Sequence, residues 1–132
     1  VVTGKGKDVP WEDGYWLGKA ANEGQGSHIP TRIADKLRGQ KFNNFNVFRE
    51  MFWTEISNDP VLSKQFNRNN LKKLRKGKAP AARKDYHYGE IFRFEIHHID
   101  EVNKGGDVYN IDNLRVVTRN TTRRYITERR NR

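Results

Sequence analysis

The sequence predicts an α+β domain, a helical body followed by strand, loop, strand and helix. Three observations carry this. Apolar residues between 45 and 56 recur at helical spacing, and the apolar period drops to two after residue 91. The 132 residues, with three Trp, seven Phe and five Tyr, suffice for one domain around one small core.

Residues 1–30 read as irregular, with glycines at 4, 6, 14, 18, 24 and 26, and Trp11 and Trp16 as anchors to the body. The GKGK end, with Lys5 and Lys7, reads as solvated and flexible. Pro30 opens a short helix through TRIADKLRG in which Ile33 and Leu37 share a face, and Gly39 stops it. FNVFREMFWTEISND is an amphipathic helix that turns Phe45, Phe48, Phe52 and Ile56 to the core. Asp59 and Pro60 then cap and open a turn through VLSKQF, and a further short helix, NNLKKLRK, ends at Gly77. In the first strand Phe92, Phe94 and Ile96 point one way, and Ile91, Arg93, Glu95 and His97 the other. EVNKGGD turns the chain back, NLRVVT is the second strand, and TTRRYITERR is a closing helix capped by Thr121 or Thr122. No repeat, linker or low-complexity segment interrupts this order, so residues 1–132 read as a single domain.

The 26 Lys and Arg against 16 acids give a net charge of +10, which points to a polyanionic partner, nucleic acid first. The basic groups cluster: residues 72–84 hold seven and no acid, and residues 115–132 hold seven arginines and one acid, Glu128. Lys72, Lys73, Arg75 and Lys76, with Arg119, Arg123, Arg124 and Arg129 of the tail, are the candidate phosphate contacts. Such contacts hold the backbone without reading sequence. There is no apolar run of about 18 residues, so no membrane span is expected, and the polar first ten residues show no signal peptide. The chain has no cysteine, which excludes disulfides and thiolate metal sites.

The pair His97-His98 stands at the predicted strand end, before a glycine-bearing loop. Neighbours on a strand face opposite ways, so both imidazoles can meet one substrate only where the strand ends or bends. Phosphodiester cleavage needs a base for the attacking oxygen, positive charge for the phosphorane, and help for the leaving oxygen. His98 can be the base, Glu95 can orient it or a neighbouring imidazole, and Arg93 can stabilise charge. His97 can hold a metal. His28 lies in the irregular N-terminal stretch and receives no role.

HH followed by GG.VYN.DNLRV.T resembles the HNH motif of the nuclease domains of DNase colicins and S-type pyocins. GKGKDVP, IPTRIADKLRG, FNNFNVFREMFWTEISNDPVLSKQFN and GKAPAAR followed by FEIHH extend the resemblance over nearly the whole chain. It implies a helical body carrying a ββα-metal motif at about residues 91–130. It also implies a bacteriocin killing domain that acts on DNA, and a small acidic immunity protein as partner. By the same resemblance the toxin is secreted as part of a larger bacteriocin and works in the cytoplasm of the target bacterium. His98 matches the general base, His97 the first metal ligand, Glu95 the acid supporting the base, and Asn113 the central asparagine that holds the loop between the strands. The immunity surface falls at about residues 70–90, with Arg83, Tyr86, His87 and Tyr88 as its candidate contacts.

The chain departs from the family pattern in its tail. Tyr125 and Arg129 stand where two further metal-ligating histidines fall, and Ile91 stands for a family arginine. The four histidines are 28, 87, 97 and 98, so the tail cannot complete a three-histidine zinc or nickel site. Three readings follow. The first is a DNase with a reduced metal site, in which His97 with Glu128, Asn120 or Asn110 holds magnesium or manganese. The second is a metal-independent ribonuclease acting on tRNA, which uses the 2′-hydroxyl as nucleophile and the same His, Glu and Arg cluster. The third is a binding module without chemistry, against which the retained Glu-x-His-His argues.

Overall fold

The computed structural model describes residues 1–8, 11, 14–22, 25–82, 93–101 and 107–118. Helix α1 spans Thr31–Leu37, α2 Phe45–Asn58 and α3 Arg68–Arg75. Strands β1 (Ser27–His28), β2 (Glu95–His98) and β3 (Leu114–Val117) form one antiparallel sheet in the order β1-β3-β2.

Local signals set the helix ends. The Pro30 carbonyl accepts the Ile33 and Ala34 N–H groups at 3.0 Å, which starts α1. Asn44 and Asn67 each cap a helix with their side-chain oxygen, on Val47 N–H at 3.0 Å and Asn70 N–H at 2.8 Å. The chain leaves α3 through Gly77 at φ +76°. Helix α2 forms the centre of the core: Phe48, Phe52, Trp53 and Ile56 are fully buried, and Phe45 packs at the core edge. Each of Phe48, Phe52 and Ile56 contributes about 1.5–3 kcal/mol of transfer free energy. Trp16 joins this core edge-on to Phe52, with ring centroids 6.1 Å apart.

Asp59 ends α2 from inside the protein. Its carboxylate accepts the N–H groups of Val61 (2.9 Å) and Leu62 (3.0 Å) and pairs with Arg32 Nε. The turn that follows is a single 3-10 turn at Ser63–Gln65. Burial pushes the Asp59 carboxyl up, but the Leu62 and Val61 amides and the Arg32 guanidinium outweigh it and hold it below the usual carboxylate range. A depressed folded-state pKa gives stability that is present above the unfolded value, about 3.9, and lost as pH falls through the folded value. Urea melts of the wild type are therefore expected to weaken below about pH 4. In Asp59→Asn that part of the acid slope should vanish, and an unchanged slope would refute the assignment.

The structure differs from the sequence expectation at the N-terminal end. Residues 1–30 are not wholly irregular: they contain a 3-10 turn at Lys19–Asn22 and strand β1. Trp16 places β1, donating from Nε1 to the His28 carbonyl (2.8 Å) and accepting Ser27 Oγ on its own carbonyl (2.6 Å). Gly26, at φ +99°, brings β1 against β3 at a point where a Cβ would lie 2.3 Å from Val117 Cγ1. The first residues are tied down as well. Thr3 N–H donates to the Tyr109 carbonyl, and the Lys5 and Gly6 N–H groups donate to the Asp112 carboxylate, although the Lys5 and Lys7 side chains are exposed.

Candidate functional site

The register of the sheet decides what each histidine meets. His98 pairs with Leu114 and Ile96 with Val116, so these four share the face packed on the core. Glu95, His97, Arg115 and Val117 share the other face. Strand β2 ends at His98, the position where neighbouring imidazoles can diverge and still serve one substrate.

His98 is held from two sides. Its ring lies 4.9 Å from the Phe45 ring, and its Nε2 is 3.0 Å from the Val108 carbonyl. A carbonyl oxygen only accepts, so Nε2 carries the hydrogen and Nδ1 of the neutral ring keeps the lone pair. Val108 sits where the loop returns from β2, and Asn113 closes that loop. The Asn113 Oδ1 accepts Asp100 N–H (2.9 Å), and its Nδ2 donates to the carbonyls of Asp100 (3.2 Å) and Asp107 (3.1 Å). The Asn113 carbonyl also accepts Ile99 N–H. One buried amide thus joins both ends of the loop to the start of β3.

Glu95 is exposed and His97 half-buried, two residues apart on the same face. Glu95 therefore neighbours His97 rather than His98. Arg93 is exposed, bridges to Ala81 and lines a groove of about 370 Å³ with Arg49, Trp53, Ala79, Phe94, Glu95 and Ile96. Arg49 was not singled out from sequence. It lies one helical turn past Phe45, with its guanidinium 5.3 Å from the centre of the ring that His98 also contacts.

His28 is brought to the site by β1. It pairs with Arg115, which pairs with His97, so the three lie in one row across the sheet. Burial lowers the His28 pKa below 6.5, and the charges of Arg115 and Lys7 lower it further against the opposing pull of Asp112. Arg115 Nη1 donates to the carbonyls of Asp112 and Leu114, each at 2.9 Å. A two-residue strand has no periodicity to read, so no local pattern signals this row.

Lys72 and Arg75 are exposed on α3, Lys76 is exposed just past its end, and Lys73 is half-buried. The segment after α3 runs back to β2, with Phe94 N–H on the Pro80 carbonyl at 3.1 Å and the Asn70 side chain on both polar atoms of the Ala81 backbone. Arg119, Arg123, Arg124 and Arg129, and the partner candidates Arg83, Tyr86, His87 and Tyr88, lie outside the described residues. So do Ile91, Asn120, Tyr125 and Glu128. Among the described residues, no three His, Asp or Glu side chains come together as a metal site. His97 is the one candidate ligand there, because the Oδ1 of Asn110 accepts Asp112 N–H within its own turn.

The family profile for the colicin/pyocin-S2 DNase domain matches residues 1–127. The chain belongs to this DNase-domain family. Pyocin-S1 of Pseudomonas aeruginosa is 51% identical over 118 residues, 89% of this chain and 18% of that protein. Colicin-E2 of Escherichia coli is 49% identical over 117 residues, 89% of this chain and 19% of that protein. The chain therefore spans less than a fifth of these bacteriocins. In the solved pyocin AP41 DNase–immunity complex, a chain 38% identical matches with a TM-score of 0.87, covering 98% of this chain and 93% of that one. The mutant nuclease domain of pyocin S8, solved with its cognate immunity protein, is 43% identical and matches with a TM-score of 0.81 over 92% of this chain and 94% of that one. The colicin DNase family is of the HNH type and uses divalent metals.

Proposed function

We propose that this chain is the DNA-cleaving domain of a bacteriocin, with His98 as general base. The observation that carries the reading is the contact of His98 Nε2 with the Val108 carbonyl, which leaves Nδ1 free to take a proton from water as that water attacks phosphorus. The bond from phosphorus to the leaving oxygen then breaks, and that oxygen takes up a proton. Arg93, at the rim of the groove, neutralises phosphate charge. Glu95 orients His97 from the same strand face. His97 is the described residue that would hold the divalent ion, whose chemistry is charge stabilisation on phosphate oxygens. Magnesium or manganese suits the chain better than zinc, since the tail has no histidine to complete a three-imidazole set.

The DNase family favours DNA over the ribonuclease alternative. Plasmid DNA and total tRNA, each incubated with magnesium and with EDTA, test both. DNA nicking that needs metal is expected, whereas RNA cleavage indifferent to EDTA would replace this reading with the ribonuclease.

We also propose an acidic immunity partner bound over residues 70–90, next to the site. Both related structures above are complexes with immunity proteins, and a net charge of +10 favours fast association with an acidic surface. Tyr86→Ala with Tyr88→Ala should weaken that complex in a calorimetric titration, and equal affinity would place the partner elsewhere. The same reading makes the chain one domain of a larger secreted toxin that acts in the cytoplasm of the target bacterium.

A further inference from the structure

We propose that His28, Arg115 and Lys7 form a second phosphate-binding site on the sheet, which holds the DNA backbone about one to two nucleotides from the bond that is cut. This rests on the DNase reading above and adds a substrate subsite to it.

The sheet builds the site. His28 and Arg115 are direct cross-strand partners, as are Arg115 and His97, so all three side chains leave the sheet on one face. Neighbouring strands lie about 4.8 Å apart, which puts β1 about 10 Å from His97. Phosphates of one strand turn around the helix as well as rise along it, so that distance reaches about one to two phosphates along the strand.

The cationic groups of the site are pre-set for an anion. Arg115 is half-buried, and its Nη1 is fixed by the Asp112 and Leu114 carbonyls. Its Nε and Nη2 make no hydrogen bond among the described residues, and these donors form the planar fork that matches a phosphate. Lys7 N–H is held by the Ile29 carbonyl at 2.9 Å, which keeps this exposed lysine beside β1. Among the described residues neither Arg115 nor Lys7 has an ion-pair partner. The neighbouring carboxylate, Asp112, is taken up by the N–H groups of Lys5 and Gly6. His28, close enough to feel both charges, adds a short polar donor beside them. The carboxylate lowers the local positive potential but leaves the cations in excess.

The test is the binding of a short fluorescent duplex in EDTA over a sodium chloride series, where cleavage does not interfere. Lys7→Ala and Arg115→Gln are each expected to weaken binding about 3- to 10-fold and to flatten the plot of log K against log salt by about one. His28→Ala is expected to weaken binding without changing the slope. In magnesium, all three should raise KM for plasmid nicking and keep kcat within about threefold. Unchanged affinity and slope in Lys7→Ala and Arg115→Gln, beside a wild type that still nicks plasmid, would overturn this site and leave the DNase reading standing. A wild type that neither binds duplex nor nicks plasmid would overturn both. Lys7→Ala changes only an exposed side chain, so it carries the test even if a sheet variant fails to fold.

Discussion

His98→Ala is expected to lower the plasmid-nicking rate by about 10²–10⁴-fold, the usual contribution of a positioned general base. The substitution removes an imidazole whose tautomer is fixed, through Val108, with the lone pair on Nδ1. It also removes the ring packed on Phe45, so a thermal melt must accompany the rate. Duplex affinity in EDTA should stay within a few-fold of wild type, because the phosphate contacts lie on other residues. A variant that melts cooperatively and still nicks at more than a tenth of the wild-type rate would remove His98 from the chemistry. A His97→Ala variant separates the two neighbours: its loss should be partly relieved by raising the metal concentration, which would not help His98→Ala.

Asn113→Ala is expected to cost both stability and activity. Three side-chain hydrogen bonds disappear, and the Asp100 N–H and the Asp100 and Asp107 carbonyls lose their partner. At about 1 kcal/mol for each bond, the loss is about 2–3 kcal/mol, a fall in Tm of roughly 8–12 °C for a domain of this size. The loop that Asn113 closes also carries the Val108 carbonyl that orients His98, so nicking should fall by at least tenfold at temperatures where the variant is folded. Asn113→Asp sharpens the test. It keeps the acceptor for Asp100 N–H but sets a charged carboxylate oxygen against the Asp100 and Asp107 carbonyls, which also only accept, so it should melt no higher than alanine. Wild-type melting and wild-type nicking in Asn113→Ala would show that the loop is held by something else.

The elements governed by local rules were legible in the sequence. Helix α2 shows its buried face in the spacing of Phe48, Phe52 and Ile56, and α1 and α3 show their stops at Gly39 and Gly77. The alternation of Phe94 and Ile96 with Glu95 and His97 placed the first sheet residues on their correct faces, because a strand's period is a property of the chain itself. The histidine pair was visible at the predicted strand end, and the loop asparagine through the family resemblance of the strand–loop–strand unit.

Partnerships between distant segments were not legible. Strand β1 is two residues long and exists because Trp16 holds its backbone and β3 offers a free edge. Nothing in residues 27–28 signals that pairing, yet it turns His28 from an unassigned residue into the neighbour of Arg115. Arg49 reaches the groove only because α2 packs against the ribbon at residues 79–81 and 93–96. Local pattern marks which residues are helical, which alternate and which could do chemistry. Tertiary structure alone decided which of them meet, because strand register and helix packing are set by burial summed over the whole core and not by any local stretch of chain.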